Sequence, residues 1–360
     1  MTSPDNADED PFDCFGDDSD SSTHSEEEDS SAAELLTTTS SNQQHSTTIK
    51  RNNIKAARKL VKQFNDDPIS IQPMIRPDDF EVFDANSAGK SLRATRSYKC
   101  GEEIMREVAA MRIPNSQAAA SRKEAKAKHR NVIQRSFDAL HPETKEAMMH
   151  LSSCDERDDE RTPQGVYDTN AFQLGNDPRG GLFLTIARMN HSCRPSAYHF
   201  WRYDLEQTLV FAARDIAIGE EICTTYGPSE CLNTAGRREY LQDRFSFHCL
   251  CAMCQEENVR GGDDRMCEIN SLQEDIILLA ASGDSDAALE AVERCLFLLE
   301  EQGLGSGAFV KPILHYGYEM SMATNDINNA QMYLSKELLA VRQSEGVDSP
   351  RAIEIDGEIY

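Results

Sequence analysis

The chain has 360 residues, with 62 Asp or Glu against 37 Lys or Arg for a formal net charge of −25, and it carries 11 cysteines. That length suggests two or three domains of about 100 to 200 residues each, and the charge excludes a surface for non-specific duplex binding, which needs clustered Lys and Arg to displace counterions. With no apolar run of about 18 residues and no signal-peptide core, the expected setting has no membrane and keeps thiols reduced, in nucleus or cytoplasm, so the cysteines are read as thiols or metal ligands.

Residues 1–49 hold thirteen Asp or Glu and no Lys or Arg. Such a composition buries too little apolar surface to offset ordering entropy, and the segment reads as a disordered acidic tail. In 50–79 the sign reverses. Lys50, Arg51, Lys55, Arg58, Lys59 and Lys62 interleave with Ile54, Leu60, Val61 and Phe64 in an amphipathic helix, and Pro68, Pro73 and Pro77 mark a linker. Phe80–Phe83, Leu92–Thr95 and Gly101–Met105 read as short strands, with a turn from Asn86 to Gly89. Residues 115–151 are Ala-, Lys- and Glu-rich, with Val132, Ile133, Phe137 and Leu140 at helical spacing, and 152–165 read as a loop. Asn170 starts a turn into Ala171–Leu174, and Gly181–Ile186 reads as a buried strand feeding Asn190. Tyr198–Tyr203 and Thr208–Ala213 flank a turn in an aromatic-rich β-hairpin.

Three features then fall within 65 residues: Asn190-His191-Ser192-Cys193, Gly219-Glu220-Glu221-Ile222 followed by Tyr226-Gly227, and the cluster Cys249, Cys251, Cys254. A closed structural zinc site takes four ligands, and the cluster supplies three thiolates. Cys193 is the candidate for the fourth if the fold returns it to the cluster; His248 and Cys267 compete for the place. Residues 269–344 turn helical. Helix starts at Asp284, at Asp326 and at Ser349-Pro350 suggest paired helices of the tetratricopeptide kind.

In their order these segments resemble the SET-domain protein lysine methyltransferases, in which the Asn-His-Ser-Cys and Gly-Glu-Glu segments cross in a pseudoknot beside S-adenosylmethionine. The cysteine cluster after Phe245-Ser246-Phe247 is most similar to the SMYD branch and its fungal relatives. The MYND zinc finger of that branch has no counterpart here, since the insert region offers only Cys100 and Cys154. Three positions depart from the family pattern: Ser91 stands for the second glycine of the first motif, Ser196 for an Asn, and Phe245 for a frequent Tyr.

The resemblance implies an α+β fold of short β-sheets with a pseudoknot. It implies a SET domain over 80–228 with a helical insert at about 115–151, a post-SET zinc-binding segment over 229–267, and a helical repeat-like domain over 268–360. The implied activity is methyl transfer from S-adenosylmethionine to a lysine of a protein substrate, such as a histone tail. By the same resemblance Gly89, Lys90, Ser91, Leu92, Asn170, Asn190, His191, Tyr226 and Phe247 hold the cofactor. Tyr226 is the implied catalytic residue, Phe245 and Tyr226 line the lysine channel, and Cys193, Cys249, Cys251 and Cys254 bind zinc. The alternatives are a SET-fold module that binds a peptide without turnover and a zinc scaffold joined to a helical repeat.

Overall fold

Short apolar runs broken by glycine turns make the first half of the chain a set of small antiparallel sheets. The computed structural model describes residues 79–85, 89–114, 122–154, 161–177, 179–227, 232–255 and 259–359, which belong to one compact unit from Pro73 to Tyr360. The expected acidic tail, amphipathic helix and proline linker lie outside the described residues, as does most of the turn from Asn86 to Gly89.

Among the described residues, three sheets of three strands each form the β part. In the first, β1 (Phe80–Asp84) pairs with β2 (Lys90–Ala94), and β2 pairs with β9 (Glu221–Ile222), so that Leu92 faces Ile222. The second carries β3 (Glu103–Glu107) beside β8 (Gln207–Ala212), which also forms a hairpin with β7 (Ala197–Arg202). In the third, β6 (Arg179–Leu182) lies between β4 (Met111–Pro114) and β5 (Ala171–Gln173). Leu92, Ile104, Met105, Phe183, Ile186, Val210 and Ile222 share one core. Each side chain fully withdrawn from water there contributes about 1.5–3 kcal/mol.

The apolar run Gly181–Ile186 is not a continuous strand. Its ladder stops at Leu182 because Glu107, a buried carboxylate, accepts the N–H groups of Leu184 (2.9 Å), Thr185 (3.1 Å) and Ile186 (2.9 Å). With those amides taken, the chain turns through a 3-10 segment, Ile186–Arg188, which delivers Asn190. The insert region folds as α1 (Arg122–Asp138) and α2 (Pro142–Met149). Nor is 152–165 loop throughout. A helix, α3 (Pro163–Asn170), starts inside it, with Thr162 Oγ1 accepting the Gly165 N–H at 3.0 Å and proline at the first position.

After the crossing come α4 (Thr234–Phe245), the short α5 (Ala252–Gln255) and α6 (Val259–Ser282), which continues past 267 without a break. Then α7 (Ser285–Glu301), α8 (Lys311–Ala323), α9 (Ile327–Glu345) and α10 (Pro350–Ile359) pack each on the one before. Asp284, Asp326 and Ser349 cap three of them, accepting the N–H groups of Ala287, Asn329 and Ala352. Every β8 residue is buried, because the core lies on one face and α9 packs on this sheet as well. Mixed α+β architecture with a helical C-terminal region is thus what the chain builds.

Candidate active site and thiol cluster

Two segments far apart in sequence cross to build the site. The Thr224 N–H donates to Asn190 O (3.0 Å), the Ser192 N–H to Thr224 O (2.9 Å) and the Ala197 N–H to Cys223 O (2.9 Å), so His191 and Thr224 form a parallel bridge. Ser196 braces the crossing from inside. Its fully buried hydroxyl accepts the Cys223 N–H at 2.8 Å and donates to Glu221 O at 3.1 Å.

Glu221 is the residue that the sequence reading passed over. One carboxylate oxygen, Oε1, accepts from Ser91 Oγ at 2.5 Å and from Asn190 Nδ2 at 3.0 Å. The serine that replaces a motif glycine therefore does not stand idle; its hydroxyl ties β2 to β9 and, through the carboxylate, to Asn190. The second acidic residue of Gly219-Glu220-Glu221 was the available signal.

Tyr226 sits at the centre of the aromatic contacts. Its ring lies 4.9 Å from Phe245, 5.4 Å from His191 and 6.2 Å from Phe247, centroid to centroid. The phenol donates to Met189 O at 3.0 Å, and the Tyr226 N–H donates to His191 Nδ1 at 3.2 Å. Burial pushes the phenol pKa up, so the hydroxyl keeps its proton. Burial also pushes His191 down, to about 4, which leaves the imidazole neutral. With Nδ1 accepting, the proton resides on Nε2, which faces Cys193 Sγ at 3.3 Å. The Cys154 thiol donates to Phe245 O at 3.0 Å, tying the segment after α2 to the end of α4.

The remaining candidates are placed differently. Asn170 ends α3 and donates Nδ2 to Ser152 O and Val166 O, both at 2.7 Å. Gly89 has φ +75°, a left-handed conformation that glycine adopts at least cost. Lys90 is exposed and pairs with Asp84 at 3.6 Å, while Leu92 is fully buried in the sheet core.

Behind His191 lie four cysteines. The sulfurs of Cys193, Cys249, Cys251 and Cys254 are all within 4.8 Å of one another. Cys193 Sγ is 3.6 Å from Cys254 Sγ and 3.9 Å from Cys249 Sγ. Tetrahedral ligation with metal–sulfur bonds of about 2.3 Å sets sulfur–sulfur separations near about 3.8 Å, so this donor set fits such an ion. The crossing contributes Cys193, the turn after α4 contributes Cys249 and Cys251, and α5 contributes Cys254. Cys267 is exposed on α6, and neither it nor His248 is among the four.

Comparison with known proteins adds the family. The SET domain family matches residues 89–227. The histone-lysine N-methyltransferase set5 of Schizosaccharomyces pombe is 28% identical over 193 residues, 53% of this chain and 60% of that protein. The mouse protein-lysine N-methyltransferase SMYD4 is 36% identical over 81 residues, 22% of this chain and 10% of the relative. Human histone-lysine N-methyltransferase SMYD3 is 33% identical over 78 residues, 22% of this chain and 18% of the relative. The chain therefore spans less than two thirds of the length of each of these relatives. The crossing segments and the Tyr226 cluster fall in or beside the stretch, residues 89–227, that matches the SET domain family, and the chain is similar there to SMYD proteins and their fungal relatives.

Proposed function

We propose that this chain transfers a methyl group from S-adenosylmethionine to the ε-amine of a lysine in a protein substrate, with histone tails among the candidates. The observation that carries the reading is the gathering of Tyr226, Phe245, Phe247 and His191 into one aromatic cluster at the crossing. S-adenosylmethionine, when bound, supplies a methyl carbon made electrophilic by its sulfonium.

The chain's own residues supply the rest. A lysine amine has an ordinary pKa of about 10.4 and attacks only as the free base. The Tyr226 and Phe245 rings exclude water and disfavour the ammonium, and the same walls align the nitrogen for in-line attack. Tyr226 keeps its phenolic proton, which it donates to Met189 O, and so orients the amine through its oxygen lone pairs rather than acting as a base. Asn190 and Asn170 spend their Nδ2 groups on Glu221 and on two carbonyls. Each then offers a cofactor its amide oxygen, an acceptor suited to an ammonium group. The His191 ring nitrogens are engaged, so His191 contributes through its backbone; Gly89 with the backbone of β2 from Lys90 to Leu92 and the face of Phe247 complete the binding set.

Zinc is the proposed occupant of the thiol cluster, since four soft anionic ligands at this spacing suit a tetrahedral ion. The proposed parts are a SET domain over 80–228 with its insert at 115–151, a post-SET zinc segment over 229–267 and a tetratricopeptide-like region over 268–360. In that last region each helix buries a face on the next. Nucleus or cytoplasm is the proposed compartment, where thiols stay reduced; among the described residues no helix is long and apolar enough to cross a membrane.

The test is transfer of labelled methyl from S-adenosylmethionine to a panel of histone tails and other lysine-bearing proteins. Phe245, which has no hydroxyl to offer the channel, favours a second reading, a module that binds cofactor and peptide without turnover. Calorimetric cofactor binding with no transfer to any substrate would select it.

A further inference from the structure

Arg237 heads the fully buried side chains by size among the described residues, with 1% exposure, and nothing in the proposed reaction uses it. It lies in the first turns of α4. Nη1 donates to Leu232 O at 2.5 Å, and Nη2 donates to Thr234 Oγ1 at 2.9 Å and to Cys254 Sγ at 3.6 Å. Nε is buried without a partner among the described residues. Asp263 is 3.9 Å from Nη1, beyond a hydrogen bond, and its Oδ1 already accepts the N–H and hydroxyl of Thr234 at 2.7 and 2.8 Å. A guanidinium thus stands out of water against two neutral oxygens, one distant carboxylate and a sulfur. The carboxylate pairs with it at 3.9 Å without a hydrogen bond and is shared with Thr234, so the desolvated charge is only partly compensated, and charge removed from water without full compensation is among the largest costs a side chain can bring to a fold.

The thiol cluster, in hydrogen-bond contact with Nη2, supplies the negative charge that Asp263 does not. A divalent ion held by four thiolates leaves two negative charges in excess, and this excess would lie directly against Nη2. We propose that Arg237 is the counter-charge of the metal centre: it balances part of that excess and donates an N–H···S bond to Cys254. Arg238, the next residue, plays a different part. It reaches Cys249 O at 3.3 Å and Cys254 O at 3.0 Å, and so holds the cysteine turns by their backbone. Through Cys193 and the His191 imidazole, the charge that Arg237 balances lies one ring away from the Tyr226 backbone.

This proposal rests on the zinc reading, and one experiment separates the two. Zinc is quantified in the full chain, and its loss to a chromophoric chelator is then timed for the wild type, Arg237→Met and Arg237→Lys. Loss of an outer partner of a metal site weakens binding about 10- to 100-fold. Arg237→Met should therefore release zinc at least about tenfold faster, while Arg237→Lys, which keeps the charge, should stay within about threefold of the wild type. A folded Arg237→Met protein that releases zinc at the wild-type rate overturns the proposal. So does Arg237→Lys releasing it more than about tenfold faster, and that arm decides the matter if Arg237→Met does not fold. A wild type lacking one zinc per chain would overturn the zinc reading itself, before any variant is compared.

Discussion

The Glu221 carboxylate makes the sharpest energetic prediction, because one oxygen serves two donors from different segments. Ser91 Oγ is at 2.5 Å and Asn190 Nδ2 at 3.0 Å, and Ser91 is fully buried. A hydrogen bond to a charged group contributes about 1.5–3 kcal/mol net, and a buried hydroxyl left without a partner costs about 1–3 kcal/mol. Glu221→Gln keeps an acceptor but loses the charge, so it should destabilise the fold by about 2 kcal/mol. Ser91→Ala removes one donor and should cost about 1–2 kcal/mol. Because the two share a bond, their effects should not add; the double variant should fall short of the sum by about 1–2 kcal/mol. Urea midpoints for the four proteins of the cycle give this coupling. Cofactor calorimetry on Glu221→Gln gives its consequence, since the group that holds Asn190 loses its charge and a change of about 1.4 kcal/mol is tenfold in affinity. Strict additivity would refute the shared bond. Unchanged cofactor affinity would refute the claim that Glu221 holds Asn190 for binding.

Two further predictions concern metal and pH. Cys193→Ser should leave the chain with well under one zinc and lower its thermal midpoint, because metal binding to such a cluster is coupled to folding; elemental analysis showing one zinc in the folded variant would contradict the four-sulfur site. His199, ringed by Phe172 at 4.8 Å and 3.4 Å from Thr224 Oγ1, has its pKa pushed down by burial from 6.5 to about 4. A folded-state pKa below the unfolded one means that stability is present above about pH 6.5 and lost as pH falls toward 4, by up to about 3 kcal/mol. The drop in urea midpoint from pH 7 to pH 5 should therefore be smaller in His199→Gln than in the wild type, and equal drops would refute the assignment.

What the sequence made legible was local. The hairpin of β7 and β8 follows from alternating aromatic and β-branched residues around a turn, and the caps at Asp284, Asp326 and Ser349-Pro350 are written within four residues of the amides they receive. The same signal, Thr162-Pro163, was present where a loop was expected, and α3 starts there. What stayed hidden depends on distant partners. The ladder ends at Leu182 because Glu107, more than 70 residues earlier, captures the next amides. The Gly219-Glu220-Glu221-Ile222 segment stood out, but the role of Glu221 within it depends on Ser91, 130 residues away. Arg237 carries no local signal of its burial, since what covers it includes Cys254, 17 residues on.

The central claim is that the Tyr226 hydroxyl orients the reacting amine, and the most direct measurement is single-turnover methyl transfer by wild type and Tyr226→Phe on one substrate. The phenol donates to Met189 O at 3.0 Å, so a purely structural role would cost about 1 kcal/mol of stability and leave transfer intact. An orienting role is felt in the transition state, and its loss lowers the rate of the chemical step rather than raising the Michaelis constant alone. The account predicts a fall in the single-turnover rate of at least about a hundredfold, with zinc content and cofactor affinity unchanged. Undiminished transfer by Tyr226→Phe would contradict it.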